Sequence, residues 1–395
     1  MIWLYWRRSR VAIGTVGLTL GALVALVMVA STLADGRRPG AALSSNARRS
    51  SISASRSSLP SADDPVVRRG LLLMAAAVAA CQSVPYRGVQ IVAWSSRQGS
   101  SSYLLDVWHR PGQPELAQDD DAASDGTGTP GLPGTADGGT VGVLSISQGM
   151  LDLLRVNYVL EYAGSGSSSD RPAQIVAVMR HDGTLAARYW LDQATGLPLR
   201  REMFDRSGRR VSEGAFIDLQ IGEQETAEMP TKAGRAWTEY VPPVSQPITS
   251  RQTDARLAAL HAQGWPVPAT LAGNMILAGV SRTATPSGPV FDARYSDGLS
   301  VVSLFMQHGV LPRALAGWRQ AQVGGKRVME TESGEIDEQG LAWSTGGIVY
   351  TVIADAPPSA VVSIVAQLPH SGETGFWSRV ARGLKRMASW FDPFG

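Results

Sequence analysis

"RYWLDQATGLPLRREMFDRSGRRV", residues 188–211, alternates apolar and polar side chains between two short turn signals. Tyr189 and Leu191 alternate with Arg188 and Asp192, then Thr195-Gly196 interrupts; Leu199 and Met203 alternate with Arg200 and Glu202, then Ser207-Gly208 interrupts. A period of two is that of a strand with one face buried, and glycine in a short connection is the signature of a hairpin. Working outward, "AQIVAVMRH" runs into Asp182-Gly183, and "AARYWLD" adds Ala187 to the apolar set. "RRVSEGAFIDLQIG" sets Ala215, Ile217 and Leu219 against Asp218 and Gln220. The pattern predicts an antiparallel meander whose apolar face must be covered by helices or by a ligand.

Helices to cover it are legible on the N-terminal side. Asp64-Pro65 is an N-cap residue followed by proline at the first helical position, and it opens a helix from Val66 to about Ser83. Within it, "RRGLLLMAAAVAACQS" (68–83) carries Cys81, the chain's one cysteine, in a setting that also looks like a lipoprotein signal. The eleven-residue apolar run Leu71–Cys81 is too short to span a bilayer and suits a core helix. Asp64-Pro65 makes sense as a cap and has no role in a signal. "VPYRGVQIVAWSS" (84–96) and "SYLLDVWHR" (102–110) read as strands, and "SQGMLDLLRVN" (147–157) as a short helix. Between them residues 111–140, rich in Pro, Gly and Asp, lack the apolar groups to offset ordering entropy and are expected as a disordered insertion. The acids Asp119 to Asp121 in it are expected to be solvated.

Residues 222–250, with Pro230, Pro242, Pro243 and Pro247, read as a linker. A second domain over 251–370 opens with the helix "RQTDARLAALHAQG". It continues with strands at "NMILAGVSRT", "PVFDARYSD", "LSVVSLFMQHG", "KRVMETES" and "GIVYTVIAD", and ends in "SAVVSIVAQL", a helix behind Pro357-Pro358. The expected fold class is α+β: two antiparallel-sheet domains, 64–221 and 251–370. The tail 371–395 reads as a basic amphipathic helix. Trp377, Arg379, Arg382, Lys385, Arg386 and Trp390 in it suit a membrane surface, and docking on the protein itself is an equal alternative.

At the N-terminus, Val11–Ala34 is free of charge and follows Arg7, Arg8 and Arg10. That is long enough for a transmembrane helix, with residues 1–10 as a cytoplasmic stub and the rest of the chain outside. The length favours an uncleaved signal anchor over a cleaved signal. Residues 35–63 form a Ser/Arg-rich tether. The 395 residues, 44% hydrophobic, suffice for two cored domains, and the net charge of +2 gives no nucleic-acid footprint. A single cysteine excludes an internal disulfide and a CxxC pair. No GxSxG, HExxH or Walker A pattern occurs, and the five histidines are scattered. No catalytic residue, metal ligand or cofactor is expected.

The segment 188–211 resembles the strand-turn-strand-turn segment of the RseB/MucB family of sigma-E regulatory proteins. "FDARYSDGLSVVSLFMQHG" (291–309) resembles that family's "YSDGL" strand pair, with Tyr295, Asp297 and Gly298 as the motif residues. "YRG" (86–88) falls where the family has its first strand. The resemblance covers roughly residues 64–370. It implies a LolA-like half-barrel wrapping helices around an apolar cavity, for which Ile91, Val176, Val178, Tyr189 and Leu191 are candidate lining residues, followed by an RseB/MucB-type C-terminal domain. It further implies a non-enzymatic protein that binds the extracytoplasmic part of a transmembrane anti-sigma factor, shields it from proteolysis and responds to lipid-like signals. A lipid or lipoprotein carrier on the same half-barrel is the alternative. The anchor, tether, insertion and tail depart from the soluble family pattern, and a tether raises effective concentration near a membrane partner.

Overall fold

Residues 171–221 form four antiparallel strands, and Tyr189, Leu191 and Met203 point to one buried face. The computed structural model describes residues 63–95, 100–119, 144–227, 237–240, 242, 244, 250–272, 274–286, 288–312, 317–331 and 339–370. The first sheet has nine strands: β1 (Tyr86–Ser95), β2 (Ser100–His109), β3 (Leu116–Asp119), β4 (Val159–Ser168), β5 (Arg171–Met179), β6 (Leu185–Asp192), β7 (Pro198–Phe204), β8 (Arg210–Ile221) and β9 (Thr238–Glu239). Their order is β4-β5-β6-β7-β8-β1-β2-β3-β9, antiparallel throughout and curved into a half-barrel.

Two helices, α1 (Pro65–Ser83) and α2 (Gln148–Asn157), cover its inner face. Asp64 caps α1 by accepting from the Val66 amide at 2.9 Å, and Ser147 caps α2 by accepting from the Met150 amide at 3.1 Å. Val67, Gly70, Met74, Ala77 and Val78 are the buried stripe of α1, at helical spacing. A Cβ on Gly70 would stand 2.4 Å from the Leu160 carbonyl oxygen, so glycine is what lets α1 lie against β4. Among the described residues α1 is the one helix long and apolar enough to cross a membrane, and here it is a core helix. Cys81 sits near its end, its sulfur accepting from the Ile146 amide at 3.4 Å, and burial pushes the thiol up to about 12.

The second sheet has eight strands: β10 (Thr270–Leu271), β11 (Met275–Thr285), β12 (Gly288–Ser296), β13 (Val301–His308), β14 (Trp318–Val323), β15 (Lys326–Thr331), β16 (Gln339–Thr345) and β17 (Ile348–Asp355), ordered β10-β11-β12-β13-β17-β16-β15-β14. Helices α3 (Ser250–Ala262) and α4 (Pro358–Gln367) cover a core of Leu304, Met306, Tyr350, Val352 and Ile364.

Several elements differ from the sequence reading. Leu116–Asp119, inside the expected disordered insertion, is a strand paired with β2, because Ala117 and Gln118 find buried positions there. Thr238–Glu239, in the expected linker, pairs with that strand. Strands β4, β14 and β16 also lie where no strand is predicted. Ile217 is 51% exposed, whereas Phe216 is buried: β8 bulges against β1 between the pairs Val89–Asp218 and Gln90–Phe216, and the bulge turns Ile217 outward. The expected span 11–34, the tether up to residue 62, residues 120–143 and the tail with Trp377, Arg379, Arg382, Lys385, Arg386 and Trp390 lie outside the described residues.

Candidate functional site

The two sheets meet at the turn between β12 and β13. Asp297 folds this turn on itself, Oδ1 accepting from the Leu299 amide at 2.9 Å and the Ser300 amide at 2.7 Å, while Ser296 Oγ accepts from the Gly298 amide at 3.0 Å. The rest of Asp297 belongs to the first sheet. Its Oδ2 accepts from the Tyr158 hydroxyl at 2.7 Å, and its carbonyl accepts from Asn157 Nδ2 at 3.1 Å. Both donors stand at the C-terminal end of α2. Gly298 has φ of +96°, and a Cβ there would lie 2.8 Å from the Leu154 nitrogen and 2.9 Å from the Met150 carbonyl oxygen. Leu299 packs into the core of the first sheet with Met150, Leu154 and Met203. Burial, then the Asp297 charge, raises the Tyr158 hydroxyl far above its ordinary range, so it stays a donor.

A second polar contact reinforces the seam. Arg201 on β7 is 7% exposed and sits directly across from Tyr189, which pairs in turn with Val176. Burial works against its charge, but Tyr189, Asp355 and Tyr240 around it hold the guanidinium firmly protonated. Asp355, at the end of β17, accepts a hydrogen bond from Trp94 of β1; burial pushes this carboxyl up and Arg201 opposes the shift. Beside the seam lies a cleft of about 470 Å³, lined by Tyr158, Arg180 and Arg206 from the first sheet and by Asp297, Ser300 and Ser359 from the second. Arg180 donates to the carbonyls of Leu185 at 2.5 Å and Phe204 at 2.6 Å, and Arg206 pairs with Asp182 at 2.7 Å. The arrangement is a polar, hydrogen-bonded joint between two rigid sheets with an open groove along it, suited to gripping a ligand or peptide that touches both.

Of the residues singled out by sequence, Val176, Val178, Tyr189 and Leu191 come together, at 0–1% exposure, in the packed core beneath α1 and α2. Ile91 stands apart and is only partly buried, facing Leu104 and Ala215 across its neighbours. The two clefts described here are lined by other side chains. Tyr295, Asp297 and Gly298 converge on the inter-sheet turn, with the Tyr295 hydroxyl donating to the Pro268 carbonyl at 2.7 Å. Sequence reasoning passed over Arg201, although a charged residue midway between Leu199 and Met203 in a period-two strand is the signal for it. It also passed over a buried acid, Glu115, whose carboxylate accepts from the Tyr86 hydroxyl at 2.7 Å and from the Ser145 hydroxyl. Burial pushes Glu115 up to about 7. Among the described residues, no group of three or more His, Cys, Asp or Glu side chains gathers as a metal site.

The architecture is that of a two-sheet α+β protein whose half-barrel is clamped to a second sheet through one turn. Residues 139–235 match the family described as the MucB/RseB N-terminal domain, and the protein is RseB/MucB-like. No curated protein matches the chain. Among solved structures, a crystal structure of MucB is similar at 18% identity and a TM-score of 0.46, over 76% of this chain and 97% of that one. The Pseudomonas aeruginosa MucA/MucB complex is similar at 18% identity and 0.44, over 75% and 96%. A putative outer membrane lipoprotein-sorting protein domain from Vibrio parahaemolyticus is similar at 14% identity and 0.22, over 39% and 93%.

Proposed function

We propose that this chain is an extracytoplasmic regulator of sigma-factor signalling, held to the membrane by residues 11–34, that binds the extracytoplasmic segment of a transmembrane anti-sigma factor. Its role is binding and shielding. The observation that carries the reading is the MucB/RseB family match over residues 139–235, a segment that holds α2, Tyr158 and Arg201, the first-sheet side of the seam. A partner segment lying along the inter-sheet cleft would touch both sheets at once. An effector, lipid-like in this reading, would release it by favouring a different arrangement of the seam, which requires unequal affinity for two states. The boundaries of the two binding domains, 64–221 and 251–370, and the surface role of the basic tail are parts of the same proposal.

The test uses the full-length chain in detergent micelles and the ectodomain of the anti-sigma factor encoded beside it. The expected result is a stoichiometric complex in which the ectodomain resists proteolysis. Stoichiometric lipid on extraction, with no binding to such an ectodomain, would replace this reading with the lipid carrier.

A further inference from the structure

The second sheet contains a slot. Strands β15 and β16 are bonded only through the pairs Met329–Ala342 and Glu330–Leu341. Beyond Met329 and Ala342 the two part. Lys326, Arg327 and Val328 stay paired with β14, and Trp343, Ser344 and Thr345 stay paired with β17, but nothing pairs one trio with the other. The gap opens as a cavity of about 850 Å³. Two strand edges therefore face each other inside one sheet without a strand between them.

The side chains around the slot have one sign. Lys326 and Arg327 line it with Gln320, Gln322 and Ser344, and no carboxylate is among the described residues lining it. His370 also lines it, 6% exposed, its ring stacked on Trp343 with centroids 4.7 Å apart. His370 Nδ1 is engaged by the Leu368 carbonyl at 2.8 Å, while Nε2 has no hydrogen-bond partner. A buried ring nitrogen without a partner is costly unless something completes it. With Nδ1 donating to the carbonyl, Nε2 is an acceptor that calls for an N–H or O–H.

We infer that this slot is a binding site for an acidic peptide segment in extended conformation, which enters between β15 and β16 as an added strand. Its backbone would bond the two free edges, its N–H groups would reach the strand edges and His370, and its carboxylates would face Lys326 and Arg327. Strand addition of this kind draws affinity from main-chain hydrogen bonds and specificity from side chains at alternate positions. The proposal concerns the second sheet alone and stands independently of the anti-sigma reading.

The experiment titrates a short labelled peptide of alternating Glu and Val into the full-length chain in detergent micelles. Three comparison probes are the same peptide with Lys in place of Glu, the same peptide N-methylated along its backbone, and sodium phosphate. The expected result is saturable binding of the acidic peptide alone, with slowed amide exchange confined to Lys326–Val328 and Trp343–Thr345. Arg327→Glu, at an exposed position that no fold contact requires, weakens binding about tenfold. Equal binding of the N-methylated or the Lys peptide, or no binding of any, overturns the proposal. Displacement by phosphate beyond that by chloride at equal ionic strength also overturns it, in favour of a simple anion site.

Discussion

The two sheets bury their inner faces by opposite means. The second packs an apolar core whose polar tips are all closed locally, as where Trp343 Nε1 donates to the Pro369 carbonyl at 2.8 Å and Tyr295 to Pro268. The first buries charge. Arg201 and Glu115 are 7% and 6% exposed, and Gln90 is fully buried with neither amide atom bonded to protein. Close packing gives stability that is indifferent to solution conditions, whereas buried ionisable groups tie stability to protonation and to what lies beside them. The contrast identifies the second sheet as the rigid frame and the first as the responsive part.

The largest effect expected is on the frame. Leu304→Ala deletes a fully buried side chain from the second core and costs about 4 kcal/mol, within the usual range for such cavities. Denaturant unfolding of the full chain should show the same loss at pH 5 and pH 8. A loss that varies strongly between those values would erase the distinction between the sheets.

Next comes the buried acid. The Glu115 carboxyl is raised from 4.5 to about 7, first by burial, against the opposing hydrogen bonds from Ser145 and Tyr86. Between these values the folded protein keeps a proton that the unfolded chain has released, so stability falls as pH rises. The contribution is whole below pH 4.5 and is lost through about pH 7, amounting to about 3 kcal/mol across the interval. Glu115→Gln should flatten that part of the stability profile. Parallel profiles for the two proteins would show that this acid does not govern the response.

The meander was legible in the sequence because Asp182-Gly183, Thr195-Gly196 and Ser207-Gly208 punctuate strands of clear period two, and α1 because Asp64-Pro65 is a strong local start. Residues 159–168 escaped because Gly164, Gly166 and four serines weaken every strand signal; pairing with β5 and the approach of α1 at Gly70 form that strand from outside. Leu116–Asp119 and Thr238–Glu239 escaped for the same reason, since each is a strand only through its partner. The site was half legible. Asp297-Gly298 was read as a hairpin turn, which it is. Its bonds to Asn157 and Tyr158 join residues 140 and 139 positions apart, and no local pattern encodes such a contact.

That turn supplies the third test. Gly298→Ala would place a methyl within 3 Å of helix backbone at an unfavourable φ, costing about 2 kcal/mol. The strain falls on the seam, so unfolding should broaden or split as the sheets uncouple. A single sharp transition, merely shifted, would mean that the sheets are held together elsewhere.

The smallest expected effect is the most specific. Tyr158→Phe removes one hydroxyl and keeps the ring, leaving Asp297 its two backbone donors and the Asn157 contact. A hydrogen bond to a charged acceptor contributes about 1.5 kcal/mol or somewhat more. Here the lost donor also leaves Oδ2 of a 4% exposed residue without its phenol. Because the bond crosses from the first sheet to the second, the loss should appear as faster amide exchange at Gly298–Ser300 and at the end of α2, with the core of β13 and β17 unchanged. If exchange quickened evenly through the second sheet instead, Tyr158 would be part of the frame, and the division between a rigid sheet and a responsive one would fail at the point where the two meet.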